Sequence, residues 1–406
     1  MMAAVGEAPG RLDVLGGVAD YSGSLVLETP LRATTRVTIT PIAEPRLVVT
    51  SGDARTVSVP LPEFGSLVTA EGDPAAGRAW LDEHDVEGWA RYPLGCLMLF
   101  ARHFSWSPSA GLAITIDSGV PVSMGVSSSA ALEVATLRAL EHLSGRRFTD
   151  TALARLAQRA ENHVVGAPCG LMDQLAAAHG VPGALLPILC RPDVLHDPVR
   201  LPAGMVVAGW PSGVAHTVSG SPYGTARTAA FMAKTMLASH LDRPLDFLAE
   251  LPPSVVHGID AAILPSSISG TAFVERHGGV DDPLSRIDPS TLYPVRAAAI
   301  FATEENFRAG IAMRLLRGGL ASADAATTIG ELMAQSHLGY TAIGLGAAET
   351  DAMVAAVRAR GPAHGFHGAR ISGGGCGGTV VVLLDAAALP SLEQLAADLT
   401  GTSIIL

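Results

Sequence analysis

The chain has 406 residues, 48% hydrophobic and 16% charged, with a formal net charge of −11 at pH 7. That length exceeds what one hydrophobic core usually serves, so two domains are expected. The acidic balance, without a basic run or an aromatic-interleaved basic stripe, argues against a nucleic acid partner. Apolar runs such as 379–384 are far shorter than the roughly 20 residues of a membrane span. No basic segment followed by an apolar stretch opens the chain, so neither an export signal nor a membrane partner is expected. Cys96, Cys169, Cys190 and Cys376 show no C-x-x-C spacing, which suits a reducing compartment and a cytoplasmic enzyme. Lys234 is the single lysine and follows Ala233. A P-loop, which needs a Gly-Lys-Ser/Thr step, is therefore excluded.

Segments 35–40 and 112–116 alternate apolar and polar residues as half-buried strands do, whereas 130–142 and 151–164 have helical spacing. The stretch 182–202 is rich in Pro and Leu without a helical period and reads as a passage between domains, spanning 1–195 and 196–406. Helical spacing returns at 225–241, 306–315 and 328–345, before a glycine-rich turn at Ser372 leads into the apolar run 379–384. The class predicted is α+β.

Three stretches stand out chemically. Pro121-Val122-Ser123-Met124-Gly125-Val126-Ser127-Ser128-Ser129-Ala130-Ala131 joins a strand to a helix. Its small residues would leave backbone N–H groups at a helix N-terminus, which binds phosphate without lysine. An ordinary serine cap would look the same. Ile371-Ser372-Gly373-Gly374-Gly375-Cys376-Gly377-Gly378-Thr379 is, taken alone, a tight turn. Glu161 and Asp173, in the block 161–174, are by type most often surface charges.

Together with Gly10-Arg11-Leu12-Asp13-Val14-Leu15-Gly16-Gly17-Val18-Ala19-Asp20-Tyr21-Ser22-Gly23, these stretches resemble, in order, the signature motifs of the GHMP small-molecule kinases, and of the galactokinases among them. The resemblance implies a two-domain GHMP kinase fold: an N-terminal ribosomal protein S5 domain 2-like domain and a C-terminal ferredoxin-like α/β-plait domain. It implies ATP held by Gly125, Val126, Ser127, Ser128, Ser129, Ala130, Gly374 and Gly375, and Mg²⁺ held by Glu161 and Ser128, with Ser129 an equal alternative to Ser128. Asp173 would take the proton of the attacking hydroxyl and Arg11 would stabilise transferring charge, as in-line phosphoryl transfer requires. Asp20, Gly17, Val18, Tyr223 and Gly170 would face the sugar.

The first motif departs from galactokinases at Asp13, where they have Asn, and at Gly17-Val18-Ala19, where they have Glu-His-Thr. In galactokinases that Glu is associated with the C6 hydroxyl, so its loss suggests a sugar without one, such as L-arabinose. Segments 10–27, Phe273-Val274-Glu275-Arg276, Asp281-Asp282-Pro283, Glu305-Asn306-Phe307-Arg308 and 340–346 also resemble the kinase domain of plant-type L-arabinokinases. Those enzymes carry a further N-terminal domain, which is not expected here. The expected activity is phosphorylation of the anomeric hydroxyl of L-arabinose by a monomer or homodimer. The alternatives are a galactokinase, a galacturonokinase (which a cation near Gly17 would favour), a non-catalytic sugar and ATP sensor, and a GHMP kinase of a non-sugar alcohol. Trp89 and Cys376 read as packing residues, Ser336-His337 is similar to a galactokinase step, and His364 with His367 reads as surface loop rather than a metal site.

Overall fold

A computed structural model describes residues 3–52, 55–61, 75–214, 221–318 and 323–406. They fall into two compact units, one of Met1–Arg11, Leu31–Pro121 and Ser127–Gly180, the other of Leu12–Pro30, Val122–Val126 and Val181–Leu406. No single cut divides them. The stretch expected to link domains, 182–202, lies inside the second unit, where Ala184–Leu189, Val194–Leu195 and Val199–Arg200 are strands. The first of these is buried at five consecutive positions. A strand covered on both faces shows no alternation, so its composition reads as irregular.

In the first unit, Arg46–Ser51 pairs antiparallel with Thr56–Pro60 and parallel with Gly111–Ser118, which in turn pairs antiparallel with 35–42 of the strand Leu25–Ile42. Val37, Ile39, Leu47, Val49, Leu112 and Ile114 are all buried, the period-two pattern of a sheet with one core face. Helices Ala75–Glu83, Gly88–Phe104, Ser128–Ser144, Asp150–Arg159 and Met172–His179 belong to the same unit. Asp150–Arg159 starts on Thr149, whose hydroxyl accepts the Ala152 N–H. The helix expected over 151–164 does not continue as an α-helix: from Ala160 to Val165 it widens into a π turn that ends at Gly166. That local widening leaves Glu161 and Asn162 buried.

The second unit holds an antiparallel three-stranded sheet with Thr379–Asp385 between Phe366–Ile371 and Met205–Pro211. The central strand is buried over six residues, which is why it reads as a continuous apolar run. Helices Ala323–Ala342 and Ala348–Arg360 pack on Phe366–Ile371. Trp210, Met353, Val380, Val382 and Leu392 form one core. Another gathers Met232, Leu237, Phe273 and Ala299 from helices including Ser221–His240 and Val295–Arg317, and takes in Val18 and Ala19. Among the described residues, no helix is long and apolar enough to cross a membrane.

Candidate active site

In the first unit the Arg11 side chain is buried, and its Nε and Nη2 both donate to Asp173 Oδ1, at 2.9 and 2.7 Å. Asp173 sits in the first turn of Met172–His179. Two further carboxyls lie close in charge: Glu161 in the π turn and Glu133 on the buried face of Ser128–Ser144. The Gln174 amide donates to Glu133 Oε2 at 3.1 Å and to Glu161 Oε2 at 2.7 Å. Cys169 Sγ donates to Glu161 at 3.4 Å, and Ser129 is also hydrogen-bonded to it. Burial, followed by the charge of Asp173, pushes the Glu161 carboxyl up to about 7. Burial, followed by Glu161, pushes Glu133 well above the usual range.

These acids are therefore electrostatically incomplete. A carboxylate with hydroxyls nearby is a hard oxygen set suited to a divalent cation that keeps some of its waters. Glu133 Oε1 and Gln174 Oε1 are buried without a hydrogen-bond partner among the described residues. No group of three His, Cys, Asp or Glu converges as an all-protein metal cage among those residues. Gly170 lies partly buried in the loop before Asp173.

The serine-rich loop is not an ordinary cap. Ser123, Gly125 and Ser127 all have left-handed φ, of 60°, 69° and 57°. Ser127 occupies the cap position of Ser128–Ser144, yet makes no side-chain cap bond, and its Oγ is buried without a partner. The first-turn amides consequently lack a side-chain cap, as an anion-binding turn requires. Val126 and Ala130 are buried, while Ser128 and Ser129 are partly exposed. Thr379, at the end of the glycine-rich loop, donates to the Met124 carbonyl at 2.7 Å. In that loop Gly374 is partly exposed and Gly375 buried.

In the second unit, the 3₁₀ turn Gly17–Ser22 carries Asp20, which is buried and accepts the Tyr21 N–H at 2.6 Å. The Tyr21 ring meets Tyr223 edge-on at 6.2 Å. Tyr223 is buried in the first turn of Ser221–His240, not in a loop. Arg227 lies 5.2 Å from the Tyr21 ring centre and grips Asp282 with two hydrogen bonds of 2.8 and 3.0 Å.

Gly17 has φ of +49°, and a Cβ there would stand 2.0 Å from Tyr340 Oη and 2.8 Å from Arg370 Nη2. Val18 packs into the apolar core. The side-chain direction at 17 thus points at a buried tyrosine and arginine, and the cation sought near Gly17 is Arg370. It is fully buried and paired with Asp13 Oδ2 at 3.0 Å. Asp13 and Gly17, which depart from the galactokinase pattern separately in sequence, meet at this arginine.

Arg370, Glu133 and Arg227 carry no motif in the sequence, while Tyr340, Glu305 and Asp282 stand in segments similar to L-arabinokinases without a role assigned to them. The one available signal was a charged residue amid an apolar helical face, as with Glu133 in Ala130-Ala131-Leu132-Glu133-Val134-Ala135. Two lesser expectations, for His367 and Trp89, differ from what the structure shows. His367 lies on the strand Phe366–Ile371 with a nearly buried ring bonded to Asp385 at 2.9 Å, so only His364 fits a surface loop. Trp89 is only partly buried; its indole donates to Glu87 and lies under Arg55. Lys234 is tied to Asp281 at 2.8 Å.

The fold, the uncapped loop and the buried acid set define a small-molecule kinase of the GHMP type. A family profile for the GHMP kinases N terminal domain matches residues 91–181. The chain is 31% identical to a galactokinase of Chloroflexus aggregans, over 98% of this chain and 88% of that protein. It is also 31% identical to an L-arabinokinase of Arabidopsis thaliana, over 93% of this chain, but it spans only 42% of that protein's length. A galactokinase from Lactococcus lactis, solved in complex with galactose, superposes with a TM-score of 0.76 at 19% identity, covering 99% of this chain and 92% of that one. The chain belongs to the galactokinase-like GHMP kinases.

Proposed function

We propose that this sugar kinase transfers the γ-phosphoryl group of ATP to the anomeric hydroxyl of L-arabinose, giving L-arabinose 1-phosphate. The observation that carries the mechanism is the Arg11–Asp173 pair beside the buried acids. The Arg11 Nε and Nη2 both donate to Asp173 Oδ1, so Oδ2 receives neither of these bonds and can take the hydroxyl proton. As that O–H proton passes to Asp173, the hydroxyl oxygen bonds the γ-phosphorus and the bond to the β-phosphate oxygen breaks, releasing ADP. Arg11 then stabilises charge on the transferring group. Gly125 to Ala130, with Gly374 and Gly375, receive the nucleotide phosphates on backbone N–H groups.

Glu161 with Ser128 or Ser129 would hold Mg²⁺, which when bound supplies positive charge to the phosphates. The Ser129–Glu161 hydrogen bond favours Ser129. Asp20, Tyr223, Gly17 and Gly170 remain the candidate sugar contacts, whereas Val18, packed in the apolar core, is not one.

Support for L-arabinose is the absence of a carboxylate at 17, where Tyr340 and Arg370 leave no space for one. D-Galacturonate is the second reading, because a guanidinium, that of Arg370, lies beside position 17. Its full burial and its pairing with Asp13 weigh against it. Comparing kcat/KM for L-arabinose, D-galactose and D-galacturonate tests the choice. The expected order places L-arabinose first, and a preference for either other sugar removes the claim. ADP release on sugar addition separates the kinase from a non-catalytic sensor.

A further inference from the structure

The turn that carries Asp20 hangs from a buried polar network in the second unit. Three successive amides end on three different side chains: Gly16 N–H on Glu305 Oε1 at 2.9 Å, Gly17 N–H on Asp13 Oδ1 at 3.1 Å, and Val18 N–H on Tyr340 Oη at 3.0 Å. The same acceptors reach the glycine-rich loop. Tyr340 donates to the Gly373 carbonyl at 2.6 Å, and Asp13 Oδ2 accepts the Gly373 N–H at 3.3 Å. Arg370 pairs with Asp13 and lies 5.0 Å from the Tyr340 ring centre. Asp13, Glu305, Tyr340 and Arg370 are all fully buried.

Gly17 shows how closely the turn and the network are matched. The contact that bars a Cβ there is chiefly with the Tyr340 hydroxyl, at 2.0 Å, and the left-handed φ of +49° independently favours glycine. A hydroxyl that both accepts from one loop and donates to another defines their separation in a way an apolar ring cannot.

We propose that Tyr340, buttressed by Arg370, is a positioning residue for the sugar: its hydroxyl ties the turn Gly17–Ser22 to the glycine-rich loop, orients the backbone that bears Asp20, and requires glycine at position 17. The kinetic consequence rests on the sugar-kinase reading, whereas the tie itself does not. Arg370 is sealed, its Nη1 on Asp13 and its Nε and Nη2 buried without a hydrogen-bond partner among the described residues, so the wall behind Gly17 offers a substrate neither a carboxylate nor an accessible guanidinium.

Tyr340→Phe keeps the ring and removes the hydroxyl. The expected result is a KM for L-arabinose raised about tenfold, with kcat and the KM for ATP within about threefold of the parent. Hydrogen exchange at the Val18 amide should quicken about tenfold, while the amides of Ser128–Ser144 stay as protected as before. Gly17→Ala should weaken sugar binding about tenfold in the parent and by at least about twofold less in the Tyr340→Phe background, since the 2.0 Å clash is then gone while the 2.8 Å approach to Arg370 Nη2 and the left-handed φ remain. Unchanged Val18 exchange, or losses that simply multiply in the double variant, overturns the proposal. So does an equal rise in both KM values with a lower Tm, the mark of a merely structural residue. Should the parent phosphorylate no sugar, the functional reading fails, while Val18 exchange in Tyr340→Phe still decides the tie.

Discussion

In the first unit Glu133, Glu161 and Asp173 lie near one another with Arg11 as the guanidinium on Asp173, whereas in the second Asp13 is paired with Arg370 and Glu305 with Arg308. The titration of the two sets follows this difference. Burial dominates in the first and pushes Glu161 and Glu133 up. Burial alone would also raise Glu305, but Arg308, then Arg370, the Ser336 hydroxyl and the Gly16 N–H together hold it below the usual carboxylate range. A buried acid with its own counter-ion serves the architecture. One without a counter-ion is a site that a bound cation would complete.

The largest effect belongs to Asp173→Asn, which should lower kcat by about 10³-fold while ATP binding measured by calorimetry stays within about threefold. Turnover within about tenfold of the parent would remove Asp173 as the base. Next, Arg370→Leu should destabilise the protein by about 3–5 kcal/mol in urea unfolding, because Asp13 is left buried and unpaired. Glu161→Gln should do the opposite: Tm unchanged or higher, with the Mg²⁺ concentration for half-maximal activity raised about tenfold. If both substitutions destabilise equally, the distinction between the two acid sets is lost.

The smallest effect concerns pH. Burial lowers the His337 imidazole below its usual 6.5, against the opposing pull of Asp351. Its Nδ1 accepts the Ile371 N–H and its Nε2 faces Asp351 at 3.0 Å, a pattern that fits the neutral ring. A histidine held neutral contributes stability that is present above 6.5 and is lost as pH falls through its lowered folded value. Tm should therefore drop on acidification below 6.5, and His337→Leu should be less stable throughout yet lose that part of the slope. An unaltered slope would show that other groups carry it.

Legibility varied with distance along the chain. The strands 35–40 and 112–116 were readable because their alternation reports one buried face, and the helix at 130–142 because its period is local. The passage at 182–202 misled because a strand buried on both faces has no period. The helix at 151–164 misled because a π turn differs from an α turn by a single hydrogen-bond step. Arg11, Glu161 and Asp173 are singled out in the sequence only by family resemblance, since nothing local distinguishes them from surface charges; that Arg11 and Glu161 are buried is visible only in the fold.

By itself, then, the sequence determined the family, the order of its motifs and the backbone freedom that glycines allow at Gly17 and Gly125. Those properties depend on neighbours in the chain. The tertiary structure decided which buried acids are neutralised, that Ser127 does not cap its helix, and that Tyr340 and Arg370 stand where a side chain at 17 would go. Tyr340 meets Val18 across 322 positions and Arg370 meets Asp13 across 357. Charge compensation and volume depend on distances in space, which only the folded chain defines.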